Sequence, residues 1–346
     1  MNEKELLKKL TLADSPSGRE HIVYPMIKEV FNEFGDVKIS NLNNIYIEKK
    51  GKKDKKIMIM AHLDEVFLAV TGFSENGFLK FKPVGIDIKT LVSQEVIIHG
   101  KEDILGIINI KPPHLMSDQD KKAGVKVEDL SIDTGFSKEY IKTKVSIGDF
   151  VTLKGEFVEL LNNKVSCKAI DDRAGIVSIY TMAKYLKEKD LNSNIYYVLS
   201  SQEEVGHRGS KTASYEINPD IGIAIDVTFD SGKYGADDRE NIIGGGPSVC
   251  VGPNIHPKLK NIIIETAKEN NIPYQIEVEP GNTGTDAWDI QVSRQGIPTL
   301  LISIPEKYMH TRVEVISMDD IINTGKLLGM FIEKLDKLDL EEVLCF

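Results

Sequence analysis

The sequence predicts an α/β layered domain interrupted by an inserted β domain. Three observations predict it. Toward both ends of the chain, continuous apolar runs alternate with segments whose apolar residues recur at helical spacing. Between about Phe67 and Lys164 the texture changes to short alternating segments broken by glycine and proline, the pattern of a small barrel or sandwich. The length of 346 residues favours about two domains over one small core. The expected boundaries are 1–66 with 165–346 for the discontinuous α/β domain, and 67–164 for the insertion.

The first 34 residues read as helical, with a break at Ser17 and Gly18. From Glu20 to Phe34 the apolar positions Ile22, Val23, Met26, Ile27, Val30 and Phe31 keep the helix period. Val37–Lys49 reads as a strand pair, or one strand with a turn at Asn41–Asn44. Ile57–Ala61 is apolar throughout, as a strand buried on both faces is. The insertion shows β segments at Phe78–Phe81, Glu95–His99, Ile104–Ile110 and Phe150–Leu153, with a polar middle at Pro112–Asp129 read as a loop and a short helix. Then follow a helix at Asp172–Lys187, strands at Ile195–Leu199 and Ile221–Val227, a helix at Pro257–Glu269 and a strand at Thr299–Ile304. Ser317 is placed to cap a last helix.

Hydrophobic residues make up 41% and charged residues 28%, an ordinary globular balance. The formal net charge of −10 argues against broad nucleic-acid binding, because phosphate contacts need a basic face. The longest apolar runs are too short to span a membrane, and the N-terminus lacks the pattern of a secretory signal. Cys167, Cys250 and Cys345 are scattered and odd in number, so neither a disulfide framework nor a zinc finger fits. A reducing cytoplasm is the expected setting.

The chemistry sits where the apolar strands end. Ile57–Ala61 runs into His62-Leu63-Asp64-Glu65. Ile195–Leu199 is followed by Glu203-Glu204, Ile221–Ile225 by Asp226, and Thr299–Ile304 by His310. Asp171 stands at the start of a long helix. In open α/β sheets ligands bind beyond the carboxyl ends of the strands, so four strands would deliver these residues to one edge. Histidine and carboxylate together suit zinc, cobalt or manganese. The set exceeds what one catalytic zinc needs and would suffice for two ions about 3.5–4 Å apart, with one carboxylate bridging. Of the adjacent acids Glu203 and Glu204, one can ligate while the other stays free as a base. Asp64, two residues after His62, can hold the far imidazole nitrogen and fix its tautomer. Each residue alone has an ordinary structural reading as a turn, cap or surface group. Their joint placement at the ends of one sheet does not.

Five ordered segments carry a family resemblance: His62-Leu63-Asp64-Glu65-Val66, Ala169-Ile170-Asp171-Asp172-Arg173-Ala174-Gly175, Gln202-Glu203-Glu204-Val205-Gly206, Gly284-Thr285-Asp286-Ala287 and Tyr308-Met309-His310-Thr311. They resemble the dinuclear metallo-aminopeptidases that include glutamyl, deblocking and tetrahedral aminopeptidases, some of whose relatives have been labelled endoglucanases. Lys111-Pro112-Pro113-His114-Leu115 and Val127–Asp133 match that family's inserted domain, so the resemblance covers nearly the whole chain. It implies a three-layer α/β/α domain with a mixed central sheet, interrupted by a small β-barrel. It implies that His62, Asp171 and Asp226 bind one divalent ion, that Asp171, Glu204 and His310 bind the other, that Glu203 is the general base, and that Asp64 orients His62. It further implies peptide substrates, a dimerising insertion and assembly into a tetrahedral dodecamer. The chain departs from the family at Phe67, Arg312 and His207, where glycine, proline and an aliphatic residue are common; none of these removes a ligand or the base.

Metal-dependent removal of N-terminal residues from peptides is the expected activity. A glycoside hydrolase working with two carboxylates leaves the histidines unexplained, and adjacent acids rarely face each other across a sugar ring. A non-enzymatic scaffold on a peptidase fold would usually have lost a ligand or the base. A related dinuclear deacylase is the nearer alternative. Gly281–Asp286 is an equal candidate for pocket lining or a tight loop, and Arg294 and Arg312 for substrate contact or ion pairing, with pairing favoured. His99, His114 and His256 show no partner in the sequence.

Overall fold

The continuous apolar runs form the middle of one large sheet. The computed structural model describes residues 1–115, 124–232 and 241–344. In chain order the strands are β1 (Asp36–Ile39), β2 (Ile45–Lys49), β3 (Lys56–His62), β4 (Phe67–Phe73), β5 (Leu79–Val84), β6 (Glu95–His99), β7 (Asp103–Ile110), β8 (Leu130–Asp133), β9 (Phe150–Leu153), β10 (Val158–Leu160), β11 (Lys164–Cys167), β12 (Asn194–Ser200), β13 (Ile221–Phe229), β14 (Ser248–Val251), β15 (Gln275–Val278), β16 (Thr299–Lys307) and β17 (Glu314–Ser317). The helices are α1 (Glu3–Leu12), α2 (Tyr24–Phe31), α3 (Lys138–Lys144), α4 (Ile170–Leu186), α5 (Arg208–Ile217), α6 (Pro257–Glu269), α7 (Asp286–Ile290), α8 (Met318–Asp336) and α9 (Leu340–Leu344).

Two units emerge. One comprises Met1–Glu65, Phe157–Met309 and Val313–Phe346; the other comprises Val66–Glu156 with His310–Arg312. The first is the expected three-layer α/β/α fold. Its main sheet runs β1-β2-β12-β3-β13-β16-β17-β11-β10, with β14 joined to β16 and β15 to β14. The sheet is mixed: β12, β3, β13 and β16 are mutually parallel, and their outer neighbours β2 and β17 pair antiparallel. The parallel strands carry the runs without a polar face, as strands covered on both sides must. Helices α1, α4, α6 and α8 pack as one group, and α5 and α7 as another. The chain passes from β3 to β12 on one side and then to β13 on the other side of β3. That reversal opens a crevice at the carboxyl end of β3, where α/β sheets bind ligands.

Local signals set the helix ends. Asn2 and Glu5 form a capping box at α1. Ser317 accepts from the Asp319 amide at the start of α8, as its position predicts. At Gly209, in the first turn of α5, a Cβ would collide with the Ser201 carbonyl. Only glycine lets this helix start so close to the end of β12.

The second unit is a closed barrel, β4-β5-β8-β7-β6-β9, which resolves the choice between barrel and sandwich. Along β7 exposed and buried residues alternate, and Ile104 and Ile108 join Val96, Ile98, Ile132 and Val151 inside. Closure leaves the sheet without free edges. The polar middle keeps 3₁₀ turns at Pro113–Leu115 and Val127–Asp129. The part of that reading over 116–123, like Cys345, lies outside the described residues. Cys167 and Cys250 are buried, and no helix among the described residues is long and apolar enough to cross a membrane.

Candidate metal centre and active site

His62 is the last residue of β3 and stands in register with Ser200 of β12. Glu203 and Glu204 lie in the turn from β12 to α5. Asp226 was expected past a strand end, but β13 runs on to Phe229 and holds it inside the strand, in register with Ser303 of β16. Asp171 belongs to the leading turn of α4, where it and Asp172 leave helical geometry and join through a cis peptide. His310 lies in the connection from β16 to β17 and has a φ of +62°. Among the described residues three groups could hold a metal: His62, Glu203 and Glu204; His62, Asp171 and Asp226; and Asp171, Glu204 and His310. Within each group one ligand atom per residue lies within 4.8 Å of the others.

His62 is 2% exposed. Its Nε2 is 2.9 Å from Asp171 Oδ1, and its Nδ1 is 3.2 Å from the Asp64 carbonyl oxygen. The Asp64 carboxylate itself is 3.7 Å from Nδ1, outside hydrogen-bond range. The far nitrogen is therefore met by the Asp64 main chain. The carboxylate serves a different end: Oδ1 accepts from the Glu203 amide at 3.0 Å, and Oδ2 accepts from Ser17 Oγ at 2.6 Å and the Glu204 amide at 3.3 Å. Asp64 thus ties the His62 segment to the turn that carries both glutamates.

Several residues that hold this geometry have no role assigned from the sequence. Glu314 of β17 accepts from the Ile170 amide at 2.6 Å and the Asp171 amide at 3.3 Å. Asp172 accepts from the His62 amide at 3.3 Å. Glu65 is buried between Lys168 and Arg173, the guanidinium 3.2 Å away, and Lys168 also meets Asp14 at 3.0 Å. This buried ionic cluster clamps the segment after β3 against the start of α4. Breaking one partner of such a cluster is strongly destabilising, because it strands a charge in the interior.

Burial pushes the Asp172 and Asp226 carboxyls well above their usual range, and neighbouring acids add to the shift. Burial also pushes Glu203 up to about 7. At His62 burial opposes the charged form, yet Asp171 and the surrounding carboxylates outweigh it and raise the imidazole. A crowd of buried acids around one histidine is the environment a bound cation relieves. The donor set, imidazole and carboxylate without thiolate, fits zinc, cobalt or manganese.

Glu20, fully buried, supports the turn from below. Its Oε1 accepts from the Gly18 amide at 2.8 Å and the Gln202 amide at 3.0 Å. Burial and then Asp64 push it from an ordinary 4.5 up to about 7. A carboxyl raised on folding favours the fold below its free pKa, and that contribution is lost as pH rises through the folded one. Glu20→Gln should therefore gain stability over wild type between pH 5 and pH 8, by up to roughly 3 kcal/mol. Urea unfolding of the metal-free proteins at both pH values checks this; a difference that ignores pH would refute the shift.

Of the other side chains singled out, Arg294 donates to the Tyr215 carbonyl and stacks 4.0 Å over the Tyr215 ring, a structural use. His99 bonds Asp103 and Thr152, each at 2.9 Å. Asp103 faces it across the β6–β7 pair, and Thr152 lies on β9, far along the chain.

The sequence model of the family described as M42 glutamyl aminopeptidase matches residues 43–327. The chain belongs to that family. M42 is a metal-dependent family whose members are aminopeptidases, and this chain, like its relatives, is a hydrolase that acts on peptides. It is 34% identical over 351 aligned residues to the lysyl aminopeptidase of Pyrococcus furiosus, covering 98% of this chain and 99% of that protein. Among solved structures it is similar to the TET aminopeptidase of a marine-sediment thaumarchaeon, with a TM-score of 0.92, 30% identity and coverage of 99% and 98%. It is also similar to the Pyrococcus horikoshii TET1 peptidase, which assembles into a tetrahedron or a large octahedral shell; the TM-score is 0.83, identity 31% and coverage 96% and 99%.

Proposed function

We propose that this M42 chain is a two-metal aminopeptidase that releases residues from peptide N-termini. The observation that carries the reading is the overlap of the three groups: each of His62, Asp171 and Glu204 belongs to two of them. His62, Asp171 and Asp226 would hold one ion, and Asp171, Glu204 and His310 the other, with Asp171 shared. When bound, the two ions supply an acidified water and polarise the substrate carbonyl. Zinc or cobalt fits best, and manganese is compatible.

The chain's own groups do the rest. Glu203 is placed beside both sets and is not needed in either. As water attacks the carbonyl carbon, Glu203 accepts a proton on its carboxylate; as the C–N bond breaks, it returns that proton to the leaving amine. Asp64 fixes the backbone of the Glu203–Glu204 turn and, through its carbonyl, the His62 ring. The barrel unit, Val66–Glu156, is the proposed dimerisation and assembly module of a homo-oligomer, in the manner of a tetrahedral dodecamer. The proposed setting is cytoplasmic trimming of peptides made by other proteases.

The test is metal counting followed by assay of aminoacyl-anilides and short peptides with and without a chelator. Release of N-terminal residues that stops with chelator and returns with zinc or cobalt is expected. Peptide inactivity with two metals bound would favour a deacylase, and chelator-insensitive polysaccharide cleavage would overturn the metal reading.

A further inference from the structure

We propose that His207 is a positioning residue for Glu203, held in turn by Asp289, so that an Asp289–His207–Glu203 chain sets the angle of the base. The inference rests on the reading of Glu203 as general base.

The geometry is specific. His207 Nε2 lies 3.1 Å from Glu203 Oε1, and His207 Nδ1 lies 2.8 Å from Asp289 Oδ2. The two partners come from different elements: His207 caps the start of α5, and Asp289 belongs to α7, which packs on α5. The main chain adds a third tie, the His207 amide donating to the Glu203 carbonyl at 2.9 Å. His207 reaches this place with a φ of +52°, a conformation costly for a residue with a side chain and kept where surrounding contacts enforce it. The bond to Glu203 first, and that to Asp289, hold the imidazole up at about 9, consistent with an N–H on each ring nitrogen. Lys211, 3.4 Å from Asp289 Oδ2, steadies the far end.

The consequence follows from carboxylate geometry. The last torsion of a glutamate is broad, so a free carboxylate swings. A donor on Oε1 removes that freedom and leaves Oε2 as the oxygen that works on the water. Misplacing a catalytic group by about 1 Å costs up to ~10²-fold. His207 thus acts on turnover through Glu203 without touching substrate.

The experiment uses the metal-loaded enzyme with an aminoacyl-anilide it cleaves. His207→Leu should lower kcat about tenfold, leave KM within about twofold and leave metal content unchanged. Asp289→Ala should lower kcat several-fold, and the double variant should be no slower than His207→Leu alone, because both changes break one chain. His207→Gln, which keeps a donor toward Glu203, should recover part of the loss. An unchanged kcat in His207→Leu, a loss confined to KM, or a double variant slowed by the product of the single effects would each overturn the proposal. If His207→Leu does not fold, Asp289→Ala decides by the same split between kcat and KM. Glu203→Gln separates the two layers: wild-type turnover there removes the base assignment, whereas a dead Glu203→Gln beside a fully active His207→Leu removes only the role of His207.

Discussion

Glu203→Gln should lower kcat by about 10³-fold, within the ~10²–10⁴ range that general acid–base groups contribute, while both metals stay bound. The amide preserves shape and one acceptor but cannot take a proton. Glu203 sits at 7% exposure, and burial holds its carboxyl near 7. That is the range in which one group can both accept a proton from water and give it to an amine at neutral pH. Neither proposed metal set requires Glu203, so metal content measured by elemental analysis should match wild type. Full turnover with both metals in place would sink the base assignment. Loss of an ion from the variant would instead move Glu203 among the ligands, as its grouping with His62 and Glu204 allows.

Stripping the metals should abolish activity and lower the melting temperature, with a gap that widens from pH 5.5 to pH 8. Asp172 and Asp226 have carboxyls raised well above their usual range by burial and by neighbouring acids, Asp171 among them. Such groups favour the metal-free fold at low pH and destabilise it as pH rises through their folded values. Metal binding moves the other way, because protons compete with the ions for carboxylate and imidazole. Both effects enlarge the difference at high pH. At metal concentrations near a thousand times Kd the linkage is worth ~4 kcal/mol, or on the order of 10 °C for a domain of this size. His62→Ala should reproduce the loss of metal at constant pH. Calorimetry of the loaded and stripped proteins reads both effects. A gap that stays constant or shrinks toward pH 8 would argue that the acids do not hold the ions.

The parallel middle of the sheet was legible because burial on both faces leaves a local trace: Ile57–Ala61, Ile195–Leu199 and Ile221–Val227 contain almost nothing polar. The residues just after such runs stand at the carboxyl edge by topology, so His62, Glu203 and Glu204 could be placed without a structure. Other features depend on partners far apart in the chain. Barrel closure rests on β4 pairing with β9, and no local pattern encodes that register. The pairing of Glu65 with Lys168 and Arg173 joins positions 103 and 108 residues apart, which no local pattern encodes. Asp64 points to the same limit. Its nearest histidine suggested one use for the carboxylate, whereas the amides of Glu203 and Glu204 claim it across the sheet. Helix α5 escaped the reading because Arg208–Ile217 is largely polar.

The pairing of β4 with β9, Leu68 against Val151 and Ala69 against Phe150, also bears on how the chain folds. The two strands are antiparallel, so the barrel's entrance and exit are neighbours. Once the barrel has formed, its first and last strands lie about one strand spacing apart, ~5 Å. The entropy of closing this stretch of about 90 residues, Val66–Glu156, is then met by the barrel's own strand pairing.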